Sequence, residues 1–459
     1  MVSGGVRSDA SIHEPPALED PASVRDAVNE LARLVDDPDG GLALIEDCQA
    51  RLRALRETFR RQPRFFDDDM LVALKALAGR LRERRPDPAA VLADTFGYPS
   101  FRRGQREIID AVLEGRDCVG VMPTGAGKSL TYQIPARVLG GTALVISPLI
   151  ALMKDQVDAL TEAGVRATFL NSTLSLEERN ERMARVASGE IELCYMAPEG
   201  LNGSAGRVLS QMRVSLVAVD EAHCISHWGH DFRPAYRTLA GLKRRFPRVP
   251  VLALTATATQ AVVDDIISQL AMTRPMVFRG SFYRPNLHLY AFKKGAEDRA
   301  TRAPPVRQAV LDCVRSRPGD SGIVYCLSRK STETTAAFLK ESGVRAAAYH
   351  AGMPPEARAK AQDAFRDDKV DVVVATIAFG MGIDKDNVRY VIHRDMPRSI
   401  EGYYQEIGRA GRDGLPSDCV LFYSWSEVVT YDKFAGDAAD EVADRVSAQA
   451  REMYRFAES

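Results

Sequence analysis

The sequence predicts an α/β protein in which two parallel-sheet units follow a short helical module. Apolar runs typical of buried parallel strands fall into two groups, at 118–122, 143–146, 216–219 and 251–254, and at 322–326, 370–375 and 390–393. Amphipathic stretches lie between these runs, which predicts alternating strands and helices. The segment Arg284-Pro285-Asn286 separates the two groups. We therefore expect one unit over residues 92–284 and a second over 285–432.

The composition is that of an ordinary globular protein. Hydrophobic residues make up 45% of the 459 residues and charged residues 27%, which excludes a largely disordered, collagen-like or coiled-coil chain. Lys and Arg number 61 and Asp and Glu 62, so the formal net charge is −1. Because bulk positive charge is lacking, any nucleic acid must be bound by a local basic patch.

The seven cysteines and the N-terminal residues indicate in which cellular compartment the protein is found. No two cysteines form a CxxC pair, so we expect buried free thiols in a reducing environment rather than a zinc site. The first residues hold no apolar core of a signal peptide, and no run reaches the about 18 apolar residues that a membrane helix needs. We expect a cytoplasmic protein with no membrane partner, associated with the nucleoid if the source is bacterial.

The ends of the chain differ from its centre. Residues 1–22, rich in Pro, Ser, Gly and acidic residues, predict a flexible tail. Apolar residues at helical spacing then predict about three helices within 23–91, and 433–459 predicts a C-terminal helical tail. The polar faces of the first module carry Arg60, Arg61, Arg80, Arg82, Arg84 and Arg85. These faces are interpreted as solvated, with a DNA or protein contact as the alternative.

A glycine-rich segment between a predicted strand and a predicted helix carries the strongest local signal. It runs Met-Pro-Thr-Gly-Ala-Gly-Lys-Ser from Met122 to Ser129, the context that a phosphate-binding loop requires. Glycines let several N–H groups converge on one phosphate, and the helix N-terminus adds partial positive charge. Lys128 is predicted to bridge the β- and γ-phosphates and Ser129 to ligate Mg²⁺. The predicted phosphate cradle comprises Thr124, Gly125, Ala126, Gly127, Lys128 and Ser129. The alternative is a coincidental turn, and the stricter pattern has glycine at the position of Met122.

A second predicted strand ends in two acidic residues, Asp220 and Glu221. Ligands gather at the carboxyl edge of open α/β sheets. We expect Asp220 in the Mg²⁺ shell, and Glu221 orienting and deprotonating the attacking water. His223 is interpreted as a coupling hydrogen-bond partner, with a satisfied core histidine as the alternative. An Asp-Glu pair alone is often surface decoration, but together with the glycine-rich segment it predicts nucleoside triphosphate hydrolysis.

Longer motifs make the prediction more specific. They are FGYPSFRRGQ (96–105), AHCISHWGHDFRPAY (222–236), LTATAT (254–259), YHAGM (349–353), VATIAFGMGIDK (374–385) and YYQEIGRAGRDG (403–414). In this order and spacing they resemble the RecQ family of superfamily 2 DNA helicases, over residues 92 to about 431. The resemblance implies two tandem RecA-like domains, and the helical module predicted within 23–91 is an N-terminal extension that is not part of the family core. It also implies an ATP-dependent 3′-to-5′ helicase that acts on single-stranded and tailed or branched DNA in repair or recombination.

The resemblance assigns nucleotide roles residue by residue. Gln105 is expected to recognise the adenine edge, with Tyr98 and Arg102 stacking on or flanking the base. Arg412 resembles the family's arginine finger, with Gln405 and Arg409 as partners across the cleft and a surface salt bridge as the alternative. The spacing of the two arginines predicts one helical face. The loop implied to link cleft closure to DNA contains Gly380, Gly382 and Asp384.

The resemblance also assigns DNA contacts. Trp228, His230, Phe232 and Arg233 resemble an aromatic-rich loop whose rings and guanidinium suit stacking on single-stranded DNA and clamping of phosphate. The alternative is a hydrophobic plug against the sheet. Two threonines, Thr255 and Thr257, resemble the motif that couples the nucleotide and DNA sites, with a Thr-rich strand end as the alternative. Other implied contacts are Pro148, Lys154, Asn171, Ser172, Thr173, Tyr325, Ser328, Arg329 and His350.

The chain departs from the family after the last motif. Many members continue into a four-cysteine zinc module and a winged helix, whereas only Cys419 follows residue 414 here. We therefore expect no zinc and inefficient unwinding. The alternative function is an ATP-gated DNA-binding or remodelling factor with DNA-stimulated ATPase but weak unwinding. A third interpretation, an RNA helicase, is disfavoured by the aromatic-rich loop, and no protein partner is indicated.

Overall fold

The computed structural model describes residues 18, 20–37, 42–83, 86–148, 150–202, 209, 212–226, 232–295, 305–379, 385–435 and 440–459. Within these ranges the chain forms two compact units, one of residues up to 101 with 137–140 and one of 102–136 with 141–459. The predicted flexible tail lies largely outside the described residues. Its last two residues belong to the first helix, where the Asp20 side chain accepts a hydrogen bond from the backbone N–H of Ser23 at 2.7 Å.

The N-terminal unit is helical, as predicted. Its helices are α1 (Pro21–Asp36), α2 (Leu42–Arg61), α3 (Asp68–Glu83) and α4 (Pro88–Phe96), with a 3₁₀ turn at Pro63–Phe65. The apolar stripes seen in the sequence meet in one core, which includes Val28, Leu31, Leu55 and Leu77. Helical spacing of apolar residues thus identified the three longest helices of this unit.

Two of the arginines predicted on the polar faces of this unit are paired with acidic residues of the same unit. Arg61 pairs with Glu57 one helical turn away, and Arg80 of α3 pairs with Asp36 of α1. Arg84 and Arg85 lie outside the described residues. These pairings favour the interpretation of the polar faces as solvated surface.

The first sheet contains seven parallel strands in the order β3-β4-β2-β5-β6-β1-β7. They are β1 (Cys118–Val121), β2 (Thr142–Ile146), β3 (Ala167–Leu170), β4 (Leu193–Met196), β5 (Val214–Val219), β6 (Val251–Thr255) and β7 (Met276–Arg279). The associated helices are α5 (Gln105–Leu113), α6 (Leu130–Leu139), α7 (Ile150–Glu162), α8 (Leu176–Ala187), α9 (Leu242–Arg245) and α10 (Gln260–Leu270). Turns of 3₁₀ helix cover Pro198–Asn202, Ala222–Ile225 and Pro234–Leu239. All four strands predicted in this half are confirmed.

The second sheet contains six parallel strands in the order β10-β11-β9-β12-β13-β8. They are β8 (Leu287–Lys293), β9 (Ser321–Tyr325), β10 (Ala346–Tyr349), β11 (Val372–Ala375), β12 (Val388–His393) and β13 (Ser417–Tyr423). Its helices are α11 (Val306–Arg315), α12 (Arg329–Glu341), α13 (Pro355–Arg366), α14 (Ile400–Ile407), α15 (Trp425–Ala435) and α16 (Asp440–Glu458). The predicted α/β class with two parallel sheets is confirmed, while the domain limits given above stay predictions.

Two further predictions concern the whole chain. All seven cysteines are free, and six are buried while Cys313 is half-buried, which confirms the prediction of free thiols. Over the described residues, no helix combines the length and the apolar character needed to cross a membrane.

Candidate functional site

The glycine-rich segment connects the end of β1 to the start of α6, as predicted. Its glycines Gly125 and Gly127 have φ values of +80° and +73°, where side chains with a Cβ are disfavoured. The Nζ of Lys128 donates to the carbonyl oxygen of Met122 at 3.3 Å. The lysine is therefore folded across its own loop, which keeps its charge beside the backbone N–H groups that would face a phosphate.

Gln105 and Arg102 brace this loop from outside. Gln105 is only 1% exposed, and its Nε2 donates to the carbonyl oxygens of Ala126 at 3.1 Å and Gly127 at 3.0 Å. Its Oε1 accepts from the backbone N–H of Arg102 at 2.8 Å, and the Arg102 guanidinium donates to the carbonyl oxygen of Gly125. The amide predicted to recognise adenine thus holds the loop backbone in this structure. Its recognition role stays a prediction.

The predicted carboxylates follow β5, which is separated from β1, the strand before the glycine-rich segment, by β6. Glu221 has a φ of +48°, and a non-glycine residue held in such a conformation costs on the order of 1–3 kcal/mol. Burial and the neighbouring charge of Glu221 raise the pKa of Asp220 to about 7, against the opposing charge of Lys128. A further cation beside Asp220 would favour its charged form.

His223 joins the ends of β5 and β6. The ring is 1% exposed, and its Nδ1 is 2.9 Å from Thr255 Oγ1 and 3.4 Å from Glu221 Oε2. The Thr255 hydroxyl also lies 3.0 Å from the Thr257 carbonyl oxygen, and when it donates its one hydrogen to that oxygen, Nδ1 donates to Thr255. The backbone N–H of Thr257 closes the network on the same hydroxyl at 3.3 Å. One chain of contacts therefore runs from Glu221 to Thr257.

The predicted arginine-finger segment lies in the loop after α14, residues 408–415, here called the finger loop. Because α14 ends at Ile407, Arg409 and Arg412 are in turns, and the prediction of one helical face for them is wrong. The helix ends before either arginine, and Gly411, between the two, has a φ of +57°, a left-handed conformation that a continuing helix does not adopt. Gln405 remains within α14. Arg409 is 6% exposed and Arg412 half-buried.

The finger loop packs directly on the phosphate-binding loop. A Cβ built at Gly408 would lie 3.0 Å from the Cβ of Thr124, and one built at Gly125 would lie 3.6 Å from the Cγ of Arg412. The structure thus brings an arginine of the second sheet to the glycine-rich segment of the first. Sequence spacing alone does not reveal this approach, which is between segments almost three hundred residues apart.

A cleft of about 370 Å³ opens beside this contact, within the size range of small-molecule sites. It is lined by Arg102, Arg103, Met122, Pro123, Thr124, Gly125, Ala126, Phe278, Gly280, Ser281, Arg284, Asn286, Gly411, Arg412, Asp413 and Gly414. Four arginines give it a positive lining that suits a polyphosphate. Three of these residues, Phe278, Arg284 and Asn286, were not predicted as site residues. Their only signal was the Arg-Pro-Asn segment, which was interpreted as a boundary.

The predicted aromatic-rich loop is only partly described. Trp228 and His230 lie outside the described residues, as do the predicted Gly380, Gly382 and Asp384. The guanidinium of Arg237 lies 5.6 Å from the centroid of the Phe232 ring. The guanidinium of Arg233 donates to the carbonyl oxygen of Pro148 at 3.4 Å, so two of the predicted DNA-contact segments touch each other.

The other predicted DNA contacts differ in accessibility. Asn171 is 9% exposed, and its Oδ1 accepts from the backbone N–H of Thr173 at 3.0 Å and from its hydroxyl at 2.7 Å. Ser172 is exposed. In this structure, therefore, Asn171 stabilises a turn in which the neighbouring Ser172 is exposed to solvent.

Two further predicted DNA contacts belong to the second sheet, and Tyr98 belongs to the N-terminal unit. His350 is buried with its Nε2 3.0 Å from Glu333, whereas Arg329 is exposed at the start of α12. The ring of Tyr98 is 50% exposed. The roles of these residues stay predictions.

Two family models match the chain. The DEAD/DEAH box helicase model matches residues 102–266, and the helicase conserved C-terminal domain model matches residues 306–414. The first match contains the glycine-rich segment and the carboxylates, and the second contains the finger loop. Each sheet therefore matches one of the two halves of a helicase.

Curated relatives are similar over about three quarters of the chain. The ATP-dependent DNA helicase RecQ of Haemophilus influenzae is 49% identical over 355 residues, which cover 76% of this chain and 56% of the relative. The Pasteurella multocida protein of the same name is 52% identical, covering 72% and 51%. The chain spans about half the length of these relatives.

Solved structures show the same fold at low sequence identity. The Mycobacterium smegmatis helicase Lhr bound to ssDNA and AMP-PNP has a TM-score of 0.60 at 22% identity, covering 77% of this chain and 50% of that one. Mss116p bound to ssRNA and AMP-PNP also has a TM-score of 0.60 at 16% identity, covering 78% and 79%. The two parallel sheets are thus RecA-like domains. With both helicase models matched in order, and with RecQ proteins 49% and 52% identical over most of its length, the chain belongs to the RecQ family.

Proposed function

We propose that this chain is the ATP-driven motor of a DNA helicase, which moves 3′-to-5′ along single-stranded DNA and separates strands in repair or recombination. The observation that carries the proposal is the packing of the finger loop on the phosphate-binding loop, with Arg412 beside Gly125. This contact is what a nucleotide cleft between two RecA-like domains needs, because charge from one domain must reach the phosphate held by the other.

The nucleotide roles follow from position. The cradle of residues 124–129 holds the phosphates, and Lys128 neutralises their charge. Gln105, Arg102 and Tyr98 hold the base, while Gln405, Arg409 and Asp384 complete the site from the second domain. Arg412 stabilises the charge that develops on the transferred phosphoryl group.

Ser129 and Asp220 would hold the divalent metal. The hydroxyl and carboxylate are the oxygen ligands that Mg²⁺ prefers, and the raised pKa of Asp220 reflects burial and the charge of Glu221, which the charge of Lys128 only partly offsets. When bound, Mg²⁺ neutralises charge on the phosphate oxygens. Glu221 then orients the attacking water and accepts its proton. His223 contacts both the Glu221 carboxylate and the Thr255 hydroxyl and so links these two residues. The predicted absence of zinc stays a prediction.

The DNA path is proposed to cross both domains. Trp228, His230, Phe232 and Arg233 stack on bases and clamp phosphate, and Thr257 connects this loop to His223. By likeness to the family, contacts to the DNA backbone come from Asn171 and Ser172 in the first domain and from Arg329 and His350 in the second. Such contacts suit grip without regard to sequence.

The test is Lys128→Ala in the full chain, with Lys340→Ala on an exposed face of α12 as the matched control. We expect the variant to lose turnover by at least about 10²-fold and to keep single-stranded DNA affinity. The control should match the parent. DNA-stimulated phosphate release that survives Lys128→Ala would refute the assignment.

Strand displacement separates the motor from its alternatives. The substrates are 3′-tailed duplexes made of DNA or of RNA, tested with ATP and the parent chain. Displacement of DNA supports the proposal. DNA-stimulated hydrolysis without displacement would support the remodelling factor, and equal activity on RNA would support an RNA helicase.

A further inference from the structure

The connection between the two sheets carries an arginine with contacts on both sides of the cleft. Arg284 lies between β7 and β8, and its Nη1 donates to the carbonyl oxygen of Thr124 in the phosphate-binding loop at 3.3 Å. Its Nη2 donates to the carbonyl oxygens of Ala410 at 3.0 Å and Gly411 at 2.6 Å in the finger loop. One planar group therefore ties together the two segments whose approach defines the site.

Asn286 reinforces the same arrangement. Its Nδ2 donates to the carbonyl oxygens of Gly411 at 2.9 Å and Leu415 at 3.0 Å, and its Oδ1 accepts from the Nε of Arg284 at 3.2 Å. A Cβ built at Gly411 would lie 2.5 Å from the Asn286 Nδ2, so the finger loop approaches the connection too closely for any side chain there. The finger loop and the connection between β7 and β8 are therefore complementary in shape.

The bonding of Arg284 indicates a role in positioning. A guanidinium has five N–H donors, and the four hydrogen bonds to Thr124, Ala410, Gly411 and Asn286 use four of them. Burial lowers the pKa of Arg284, which shows that the group gives up hydration for these carbonyl contacts. A phosphate ligand would instead keep several donors directed into the cleft.

A further contact close to Arg284 also holds the connection between β7 and β8 in place. The Tyr404 hydroxyl of α14 donates to the carbonyl oxygen of Phe282, and the two rings meet edge to face with centroids 5.4 Å apart. The connection is therefore held to the helix that precedes the finger loop as well as to the loop itself. A movement of one domain relative to the other must therefore change the contacts of this connection.

We propose that Arg284, supported by Asn286, is a positioning residue that docks the finger loop on the phosphate-binding loop and so sets Arg412 for catalysis. The inference rests on the proposed ATPase function and deepens it. A lysine at this position keeps the positive charge but lacks the planar set of N–H donors of a guanidinium. It can therefore donate to only some of the carbonyl oxygens that Arg284 contacts.

The test compares Arg284→Gln and Arg284→Lys with the full parent chain. Arg345→Gln is the matched control, because Arg345 also donates to a backbone carbonyl, that of Asp368, while its other acceptor is the Asp371 carboxylate and both lie in the second domain. The measurements are steady-state ATP hydrolysis with single-stranded DNA, binding of the fluorescent nucleotide mant-ATP, and amide hydrogen exchange of the 408–415 segment without nucleotide. Exchange in β5 reports whether each variant is folded.

In Arg284→Gln we expect kcat to fall by about 10²-fold, as for a catalytic group misplaced by about 1 Å. The KM for ATP and the Kd for mant-ATP should change by less than about threefold, and exchange of 408–415 should rise about tenfold. Arg284→Lys should recover part of kcat, and the control should match the parent.

Three results would overturn the inference. They are unchanged exchange of 408–415 in Arg284→Gln, unchanged kcat in an active enzyme, and loss of mant-ATP affinity in step with kcat, which would make Arg284 a phosphate ligand. If the parent chain hydrolyses no ATP, the proposed function fails, and the exchange comparison by itself decides whether Arg284 docks the loop.

Discussion

Replacement of Gly408 by alanine tests whether the finger loop packs on the phosphate-binding loop during turnover. The new Cβ would lie 3.0 Å from the Cβ of Thr124 and 3.3 Å from its Oγ1. Carbon atoms in contact are ordinarily about 3.5–4.0 Å apart, so the finger loop must withdraw by about 0.5–1 Å. The backbone itself is not strained, because Gly408 has φ −61° and ψ −8°, a conformation that alanine adopts readily.

The size of the effect follows from this displacement. A misplacement of about 1 Å costs about 10²-fold in rate, which corresponds to about 2.7 kcal/mol of activation free energy. We therefore expect Gly408→Ala to lower kcat by about 10- to 100-fold while the KM for ATP changes little. The phosphate-binding loop is untouched, so mant-ATP should still bind.

The assay is DNA-stimulated ATP hydrolysis, with Gly402→Ala in α14 as the matched control. A Cβ at Gly402 would meet only Ser399 Oγ at 3.4 Å, an ordinary contact, and alanine within a helix is favourable by up to about 1 kcal/mol. The control should keep the parent rate. If Gly408→Ala hydrolyses ATP as fast as Gly402→Ala does, the two loops do not approach each other in the working enzyme.

Two further predictions concern the first domain. Thr255→Val removes a fully buried hydroxyl with three hydrogen bonds, so denaturant unfolding should show a loss of about 1–3 kcal/mol, and DNA should stimulate hydrolysis less than in the parent. Equal stimulation would remove Thr255 from the coupling path. In Asp220 burial raises the pKa above its unfolded value, so stability held by the protonated form is lost as pH rises through about 7. Without nucleotide and metal, raising the pH from about 5 to about 8 should therefore lower the thermal stability of Asp220→Asn by less than it lowers that of the parent. Equal losses in the two proteins would show that Asp220 is not a buried carboxyl with a raised pKa.

Seven strands were predictable because their sequences are largely continuous apolar runs, whereas the buried inner strands β4 and β13 were not predicted. β1, β2, β5 and β6 are buried along most of their length, which is the pattern of a parallel sheet covered on both faces. The edge strand β8 does not follow this rule. β8 exposes nearly every residue, so its sequence carries no signal of burial and it was missed.

The site was predictable where its chemistry is local in sequence. The phosphate cradle and the Asp220-Glu221 pair each occupy one strand end, so motif and position coincide. The packing of the finger loop and the junction at Arg284 depend on tertiary contacts between distant segments, which no local pattern encodes. The helical face predicted for Arg409 and Arg412 failed for a local reason, since the helix ends at Ile407 and Gly411, between the two arginines, has a left-handed backbone.

The most direct test of the account is a crystal structure of the chain with Mg²⁺ and a non-hydrolysable ATP analogue. We predict that the Arg412 guanidinium lies within about 3 Å of a γ-phosphate oxygen, with Lys128 and Glu221 on the opposite side of that phosphate. A structure in which the domains are closed on the nucleotide while Arg409 and Arg412 both face bulk solvent would contradict it.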